Sequence, residues 1–242
     1  MAKKKGAALL EISDLDVSYG KAPVVIGASL VVHEGEFHAI LGRNGAGKST
    51  MLHAVSGLIA KRGGRVRFDG KDITSSSPEK IVELGLIQVL EGHRIFPSLS
   101  LQDNLDVAAY PIRRRGKRVD YERIYRLFPE LAAKRNDPAS SLSGGQQQIL
   151  AVGQGILAEP RLLILDEPSG GLAPIVVDRI LDVAAQLAHE GAAIILVEQL
   201  VEKALRRADT ACVMDTGRIV HQGTAEEMAS SSVVREIYLG HG

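Results

Sequence analysis

The run Gly42-Arg43-Asn44-Gly45-Ala46-Gly47-Lys48-Ser49, continued by Thr50, has the spacing G-x-x-x-x-G-K-[ST]. Glycines let the backbone wrap closely, so that successive N–H groups point at phosphate oxygens. Lys48 brings a point charge for β- and γ-phosphates, and the Ser49 hydroxyl can ligate Mg²⁺. An apolar strand (37–41) precedes the run and a helical pattern follows, so the positive end of a helix dipole also faces the anion. A Gly-rich turn that merely ends in Lys-Ser would not need that strand–loop–helix setting.

Two further segments carry chemistry. Residues 162–165 are all Leu or Ile and end in Asp166-Glu167-Pro168. At the carboxyl end of a central strand Asp166 could hold Mg²⁺ through its water shell. Side chains alternate along a strand, so Glu167 is expected to point elsewhere and polarise an attacking water. The plain reading, two solvated acids, loses weight beside a phosphate loop. Leu142-Ser143-Gly144-Gly145-Gln146 reads as a Ser-capped helix start, hence a second anion site. Alone it would be only a capping box.

These residues need a scaffold, and the pattern supplies one. Leu10, Ile12, Val17 and Tyr19 alternate with polar residues; 24–32 is β-rich; Val66 and Phe68 precede an Asp69-Gly70 turn. A helix is expected over 49–60. Another has Ser77 as N-cap, Pro78 at its first position and Gly85 past its end. The strand 86–90 follows, and 97–157 turns helical, with capping boxes at Ser100/Asp103 and Ser143/Gln146. Then strands and helices alternate over 162–165, 175–190, 192–197, 200–208 and 212–214. Such alternation implies a mostly parallel sheet covered on both faces.

Composition fits that scaffold. Of 242 residues 45% are hydrophobic and 24% charged, which excludes disorder, collagen and low-complexity architectures. Lys and Arg number 29 against 29 Asp and Glu, without the basic excess of a nucleic-acid grip. One cysteine, Cys212, permits no internal disulfide, and the seven histidines show no metal-ligand spacing. No signal peptide and no membrane-spanning run is read; a cytosolic compartment fits. With no repeat and no linker, 1–242 reads as a single domain, about 92–157 forming a helical subdomain and 1–7 expected to be disordered.

Taken together, the three motifs in this order resemble the ATP-binding-cassette ATPases, whose signature is the pentapeptide at 142–146. The resemblance runs from about residue 9 onward. It implies an α/β fold: a P-loop (RecA-like) core, an N-terminal antiparallel β subdomain and an inserted helical subdomain. It implies ATP and Mg²⁺, with Lys48, Glu167 and Gln199 catalytic and Ser49, Asp166 and Glu91 at the metal. Gly42 to Thr50 would hold the phosphates, and Tyr19 would stack on adenine. Two such chains would face head to tail. Ser143, Gly144, Gly145 and Gln146 of one would then serve the nucleotide of the other.

Departures from the family pattern narrow the resemblance. Gln199 stands where a switch histidine is usual; it can donate a hydrogen bond but carry no proton. Glu91 aligns with a metal-contacting glutamine, with Gln88 as the competing assignment; Gly92, Arg94, Ile95, Phe96 and Pro97 downstream favour Glu91. Ala173 replaces an Asp in the run Ser169-Gly170-Gly171-Leu172-Ala173-Pro174. These features resemble the smaller ATP-binding subunit of branched-chain amino acid importers, or of urea and amide importers. The implied partners are a second ATPase subunit (the same or different), integral-membrane permease subunits touching residues 91–101, and, indirectly, an extracytoplasmic solute-binding protein. The implied place is the inner face of the cell membrane, peripherally. Lipid-linked export, or a DNA or translation ATPase, are the alternatives. Long coiled coils or a second cassette would be needed for the last two, and neither is read. The basic run Arg113, Arg114, Arg115, Lys117 and Arg118 reads as a solvated loop, with anionic lipid contact the lesser reading. Gly153-Gln154-Gly155, where relatives carry Ala-Arg-Ala, has no sequence-level explanation, since interior helix glycines cost about 1 kcal/mol each.

Overall fold

In chain order the strands are β1 (Ala8–Tyr19), β2 (Ala22–His33), β3 (Phe37–Leu41), β4 (Gly63–Phe68), β5 (Lys71–Asp72), β6 (Leu86–Val89), β7 (Leu162–Asp166), β8 (Ala193–Glu198), β9 (Thr210–Asp215) and β10 (Arg218–Thr224). The α-helices are α1 (Lys48–Val55), α2 (Pro78–Leu84), α3 (Leu101–Ala108), α4 (Tyr110–Arg114), α5 (Tyr121–Leu127), α6 (Pro129–Ala132), α7 (Gly144–Leu157), α8 (Pro174–His189), α9 (Val201–Leu205) and α10 (Ala225–Ser230). The computed structural model describes residues 6–92, 95–232 and 234. Residues 1–5 of the leading stretch, and His93 and Arg94, lie outside them. Ala7 is tied down, its carbonyl accepting from Glu34 N–H at 3.0 Å.

One sheet has the order β2-β1-β4-β5 and is antiparallel; the other runs β10-β9-β3-β8-β7-β6. In the second, β9, β3, β8, β7 and β6 are parallel, and β10 returns antiparallel on β9. The hairpin strand β10 is not foreseen by the sequence reading, although Thr216-Gly217 at its tip is an ordinary turn signal.

Side-chain alternation sorts the parallel strands into two cores. Leu162 and Ile164, Ala193 and Ile195, Ile40, Cys212 and Met214 pack with α1 and the antiparallel sheet. Leu163 and Leu165, Ile194 and Leu196, Leu41 and Val213 pack with α3, α7 and α8. Strands buried on both faces carry uninterrupted apolar runs, as parallel strands must. Cys212 is one such buried residue, and burial pushes its thiol up to about 12.

Helices α3 to α7 are inserted between β6 and β7; the longest, α7, has 14 residues, far from a coiled-coil arm. Both expected capping boxes form, at Ser100/Asp103 and Ser143/Gln146. Helix α1 is shorter than expected, because the chain turns at Gly57 with φ +75°. Close packing explains the two glycines of α7. A Cβ on Gly155 would lie 2.6 Å from Val89 Cγ2, and one on Gly153 3.1 Å from Ile124 Cγ2. Between them Gln154 Nε2 donates to the Asn104 carbonyl of α3 at 3.0 Å. The helix trades propensity for close contact with the sheet at Gly155 and with α5 at Gly153.

The basic run is largely paired. Arg113 and Arg114 sit in the last turn of α4, where positive charge suits the helix dipole. Arg113 meets Asp106 at 3.3 Å, Arg114 meets Glu83 at 3.3 Å, and Lys117 meets Glu159 at 2.7 Å. Arg115 donates to the Ala158 carbonyl at 2.8 Å. Carboxylates thus meet Arg113, Arg114 and Lys117, while Arg115 meets a neutral carbonyl.

Candidate functional site

The phosphate loop leaves β3 and becomes the start of α1. Its backbone is held against the β9–β10 hairpin: Gly217 N–H donates to the Ala46 carbonyl at 3.0 Å, and Ile26 N–H of β2 donates to the Gly217 carbonyl at 2.8 Å. A Cβ on Gly42 would lie 2.4 Å from the Met214 carbonyl, and one on Gly47 2.8 Å from the Val24 carbonyl at φ +100°. Only glycine fits there. Because Gly47 is the N-cap, no side chain covers the first N–H groups of α1. They are free to meet an anion.

Lys48 is buried beneath this loop. Its Nζ donates to the carbonyls of Gly42 (2.9 Å) and Arg43 (3.1 Å) and lies 3.2 Å from Glu167 Oε1. Arg43, Asn44 and Gly45 form the exposed crest, Ala46 is buried, and Ser49 and Thr50 are half-buried. Ser49 Oγ donates to Asp166 Oδ1 at 2.8 Å. Asp166 is buried, and that burial pushes its carboxyl above the usual range; Ser49 and His53 oppose the shift, while Glu167 and Glu91 add to it.

The expectation that alternation turns Glu167 away from this cluster is not met. Glu167 leaves the strand at φ +45°, and its carboxylate reaches both Lys48 and Gln199, whose Nε2 donates to Oε2 at 2.7 Å. A left-handed residue at the strand end breaks the period-two rule. Both acids therefore face the phosphate loop.

Around Asp166 the sequence reading left Gln88 and Glu91 as rivals. Gln88 Nε2 lies 3.5 Å from Asp166 Oδ2, and its Oε1 accepts from Ser56 Oγ at 2.6 Å. Glu91 is exposed in the turn after β6, close enough to act on Asp166 through its charge. His53, which the sequence reading missed, places Nε2 3.6 Å from Asp166 Oδ2. It lies four residues after Ser49 on α1, so helical spacing was its only signal. Glu198, also missed, is buried beneath Gln199.

Tyr19 ends β1, 54% exposed, opposite Ala22 in the hairpin whose second strand carries Val24 against Gly47. An exposed aromatic face on that hairpin is of the kind that can stack on a base. The signature residues lie elsewhere. Ser143 Oγ accepts from Gln146 N–H at 3.3 Å, and Gln146 Oε1 accepts from Ser143 N–H and from Lys134. Gly145 faces Val176 of α8, just beyond Ala173, the N-cap of that helix. The structure thus gathers Lys48, Ser49, Asp166, Glu167 and Gln199 at the carboxyl ends of β3, β7 and β8. The contacts of the signature run to the helical insert and α8.

This donor set fits Mg²⁺. A hydroxyl and a carboxylate 2.8 Å apart are hard oxygen ligands, and a cation would offset the burial of Asp166. Among the described residues no group of three or more His, Cys, Asp or Glu could cage a metal.

Comparison with known proteins shows the family. A family model described as ABC transporter matches residues 25–170. The high-affinity branched-chain amino acid transport ATP-binding protein BraG of Pseudomonas aeruginosa is 35% identical over 232 residues, covering 96% of this chain and 100% of the relative. BraF of the same organism is 29% identical over 249 residues, covering 96% and 98%. A crystal structure of a nucleotide-free ATP-binding cassette from an ABC transporter superposes with TM-score 0.83 at 23% identity, covering 97% of this chain and 100% of that one. At that identity the likeness is one of fold.

Proposed function

The chain belongs to the ABC transporter ATPases, and from that premise we propose that it powers import of branched-chain amino acids or a similar small solute. It hydrolyses ATP, as its family does. The observation that carries the solute class is 35% identity over 96% of this chain to BraG, a branched-chain amino acid transport ATP-binding protein; the lower identity to BraF, 29%, favours the BraG-like subunit. In this reading the chain is the smaller of two unlike ATPases that work together.

Residues at the site divide the work. A triphosphate offers Lys48 stronger acceptors than the Gly42 and Arg43 carbonyls and the Glu167 carboxylate it now meets. Released from Lys48, Glu167 accepts a proton from the attacking water. Gln199 keeps that carboxylate oriented and donates to a phosphate oxygen, without titrating. Ser49 and Asp166 would hold Mg²⁺, which would supply charge neutralisation at the phosphates. Ser143 to Gln146 close on the nucleotide of a partner chain, whose own signature closes on this one.

The permease contact, expected at residues 91–101, would extend to a groove of about 390 Å³ between β6, α7 and the α3–α4 corner, none of whose lining residues falls in that range. Val107 and Tyr110 line it, 49% and 60% exposed, and Phe96 nearby is 49% exposed. An apolar groove of this size suits a short amphipathic helix. Among the described residues no helix is long and apolar enough to cross a membrane. In this reading the conduit is another chain, and this one attaches peripherally at the inner face.

Uptake of labelled leucine tests the reading. Cells lacking this chain should lose high-affinity uptake, regain it with the wild-type chain and not with Glu167→Gln. Undiminished uptake in the deletion strain would remove branched-chain amino acids as the cargo.

A further inference from the structure

Strand β8 ends in a buried carboxylate that the hydrolysis scheme above does not use. Glu198 shares its face of the strand with Leu196, which packs in the helix-covered core, and it is 1% exposed. A leucine there would continue that core. Buried acids persist only when donors surround them, and replacing such groups by apolar ones is often neutral or stabilising. The carboxylate therefore needs a reason other than stability.

Its donors supply the reason. Glu198 Oε1 accepts from Ser169 N–H at 3.1 Å; Oε2 accepts from Ser169 Oγ at 2.8 Å, Gln199 N–H at 3.0 Å and Leu200 N–H at 3.4 Å. Those donors come from two segments. One, Glu167 to Ser169, carries the residue that takes the water's proton. The other begins with Gln199. A carboxylate has roughly four lone-pair sites, so Glu198 has little acceptor capacity left for anything else. Above it the same segments meet again, through Gln199 Nε2 to Glu167 Oε2 at 2.7 Å and Glu167 N–H to the Val197 carbonyl at 3.0 Å.

We infer that Glu198 is a positioning residue that fastens the Glu167–Ser169 turn to the Gln199 turn and so fixes the Glu167–Gln199 pair for hydrolysis. The inference rests on the reading that Glu167 and Gln199 act on water and phosphate. Ser169, through its hydroxyl and N–H, is the other half of the fastening. Because Glu198 faces away from the phosphate loop, its loss disturbs the timing-critical geometry and leaves nucleotide binding by Lys48 and the loop amides intact.

The test is steady-state ATP hydrolysis by the chain purified in complex with its partner ATPase and permease subunits, with kcat, KM for Mg-ATP and melting temperature measured together. Ser169→Ala removes one donor without burying a new group; Glu198→Gln places an amide where acceptors are needed. Both should lower kcat about tenfold at unchanged KM, since small misplacements of reacting groups cost up to about a hundredfold. Ser169→Thr, which keeps the hydroxyl, should restore kcat to near the wild-type value. Glu167→Gln is the control: if it keeps full turnover, the hydrolysis reading itself falls and this inference with it. If Glu167→Gln is inactive while both other variants match wild type, only the fastening is wrong. A fall of KM performance and melting temperature in step with kcat, or a Ser169→Thr chain as slow as Ser169→Ala, also overturns it. Should Glu198→Gln fail to fold, the Ser169 pair decides alone.

Discussion

At the amino ends of β3 and β9, Glu36 accepts from His33 N–H at 2.7 Å, pairs with His33 Nδ1 at 2.8 Å and accepts from Thr210 Oγ1. At the carboxyl end of β7, Asp166 has one short bond, from Ser49, and longer approaches from Gln88 and His53. Both acids are buried. Burial pushes each upward, yet at Glu36 the bonds from Thr210 and His33 win and its carboxyl falls below the usual range. At Asp166 burial wins, and at Glu198 it wins as well. One end of the sheet satisfies its charge from within the chain; the other keeps charge in a form that an added cation would stabilise. The first contributes stability, and the second gives some up for chemistry.

The largest effect should come from the chemical end. Glu167→Gln is expected to lower kcat for ATP about a thousandfold, within the range for a lost general base, with nucleotide binding retained; phosphate release measures it. Lys48→Ala should weaken nucleotide binding about thirtyfold, since a hydrogen bond to a charged group contributes about 2 kcal/mol; titration with a fluorescent nucleotide measures that. An undiminished affinity would mean that the loop amides suffice.

Stability experiments sharpen the contrast itself. Glu36→Gln should cost about 2 kcal/mol at neutral pH by mismatching buried donors, read from denaturant unfolding. Its lowered pKa means the contribution is fully present above the ordinary carboxylate value and lost as pH falls through the folded value, so wild type and variant should converge in acid. Asp166→Asn should do the reverse. With the folded pKa raised, ionisation subtracts stability as pH rises from the ordinary value through the folded one. The variant should thus melt slightly higher than wild type at neutral pH and level with it in acid. Two variants shifting in the same direction would erase the distinction.

How much of this was legible in the sequence follows the same division. Contiguous motifs showed themselves: the loop at 42–49, the acids after 162–165, and the Ser caps, each local chemistry written in adjacent residues. Apolar runs gave the parallel strands, because burial on both faces leaves no choice of residue type. What stayed hidden joins residues far apart in sequence. Glu36 and Thr210 are 174 positions apart, and Ser169 and Glu198 are 29 apart. The glycines of α7 made no sense until Val89 and Ile124 were seen against them. Alternation misdirected Glu167 because a single left-handed residue is invisible in a hydrophobic pattern.

Cys212 carries a practical consequence. Sealed between the sheets, with its thiol pushed to about 12, it is a poor nucleophile at neutral pH. A cysteine introduced at an exposed position outside the nucleotide site, such as Ala229 of α10, would then be the sole target for a maleimide dye or spin label. Opening and closing against a partner could be followed by attaching one reporter to an otherwise native chain.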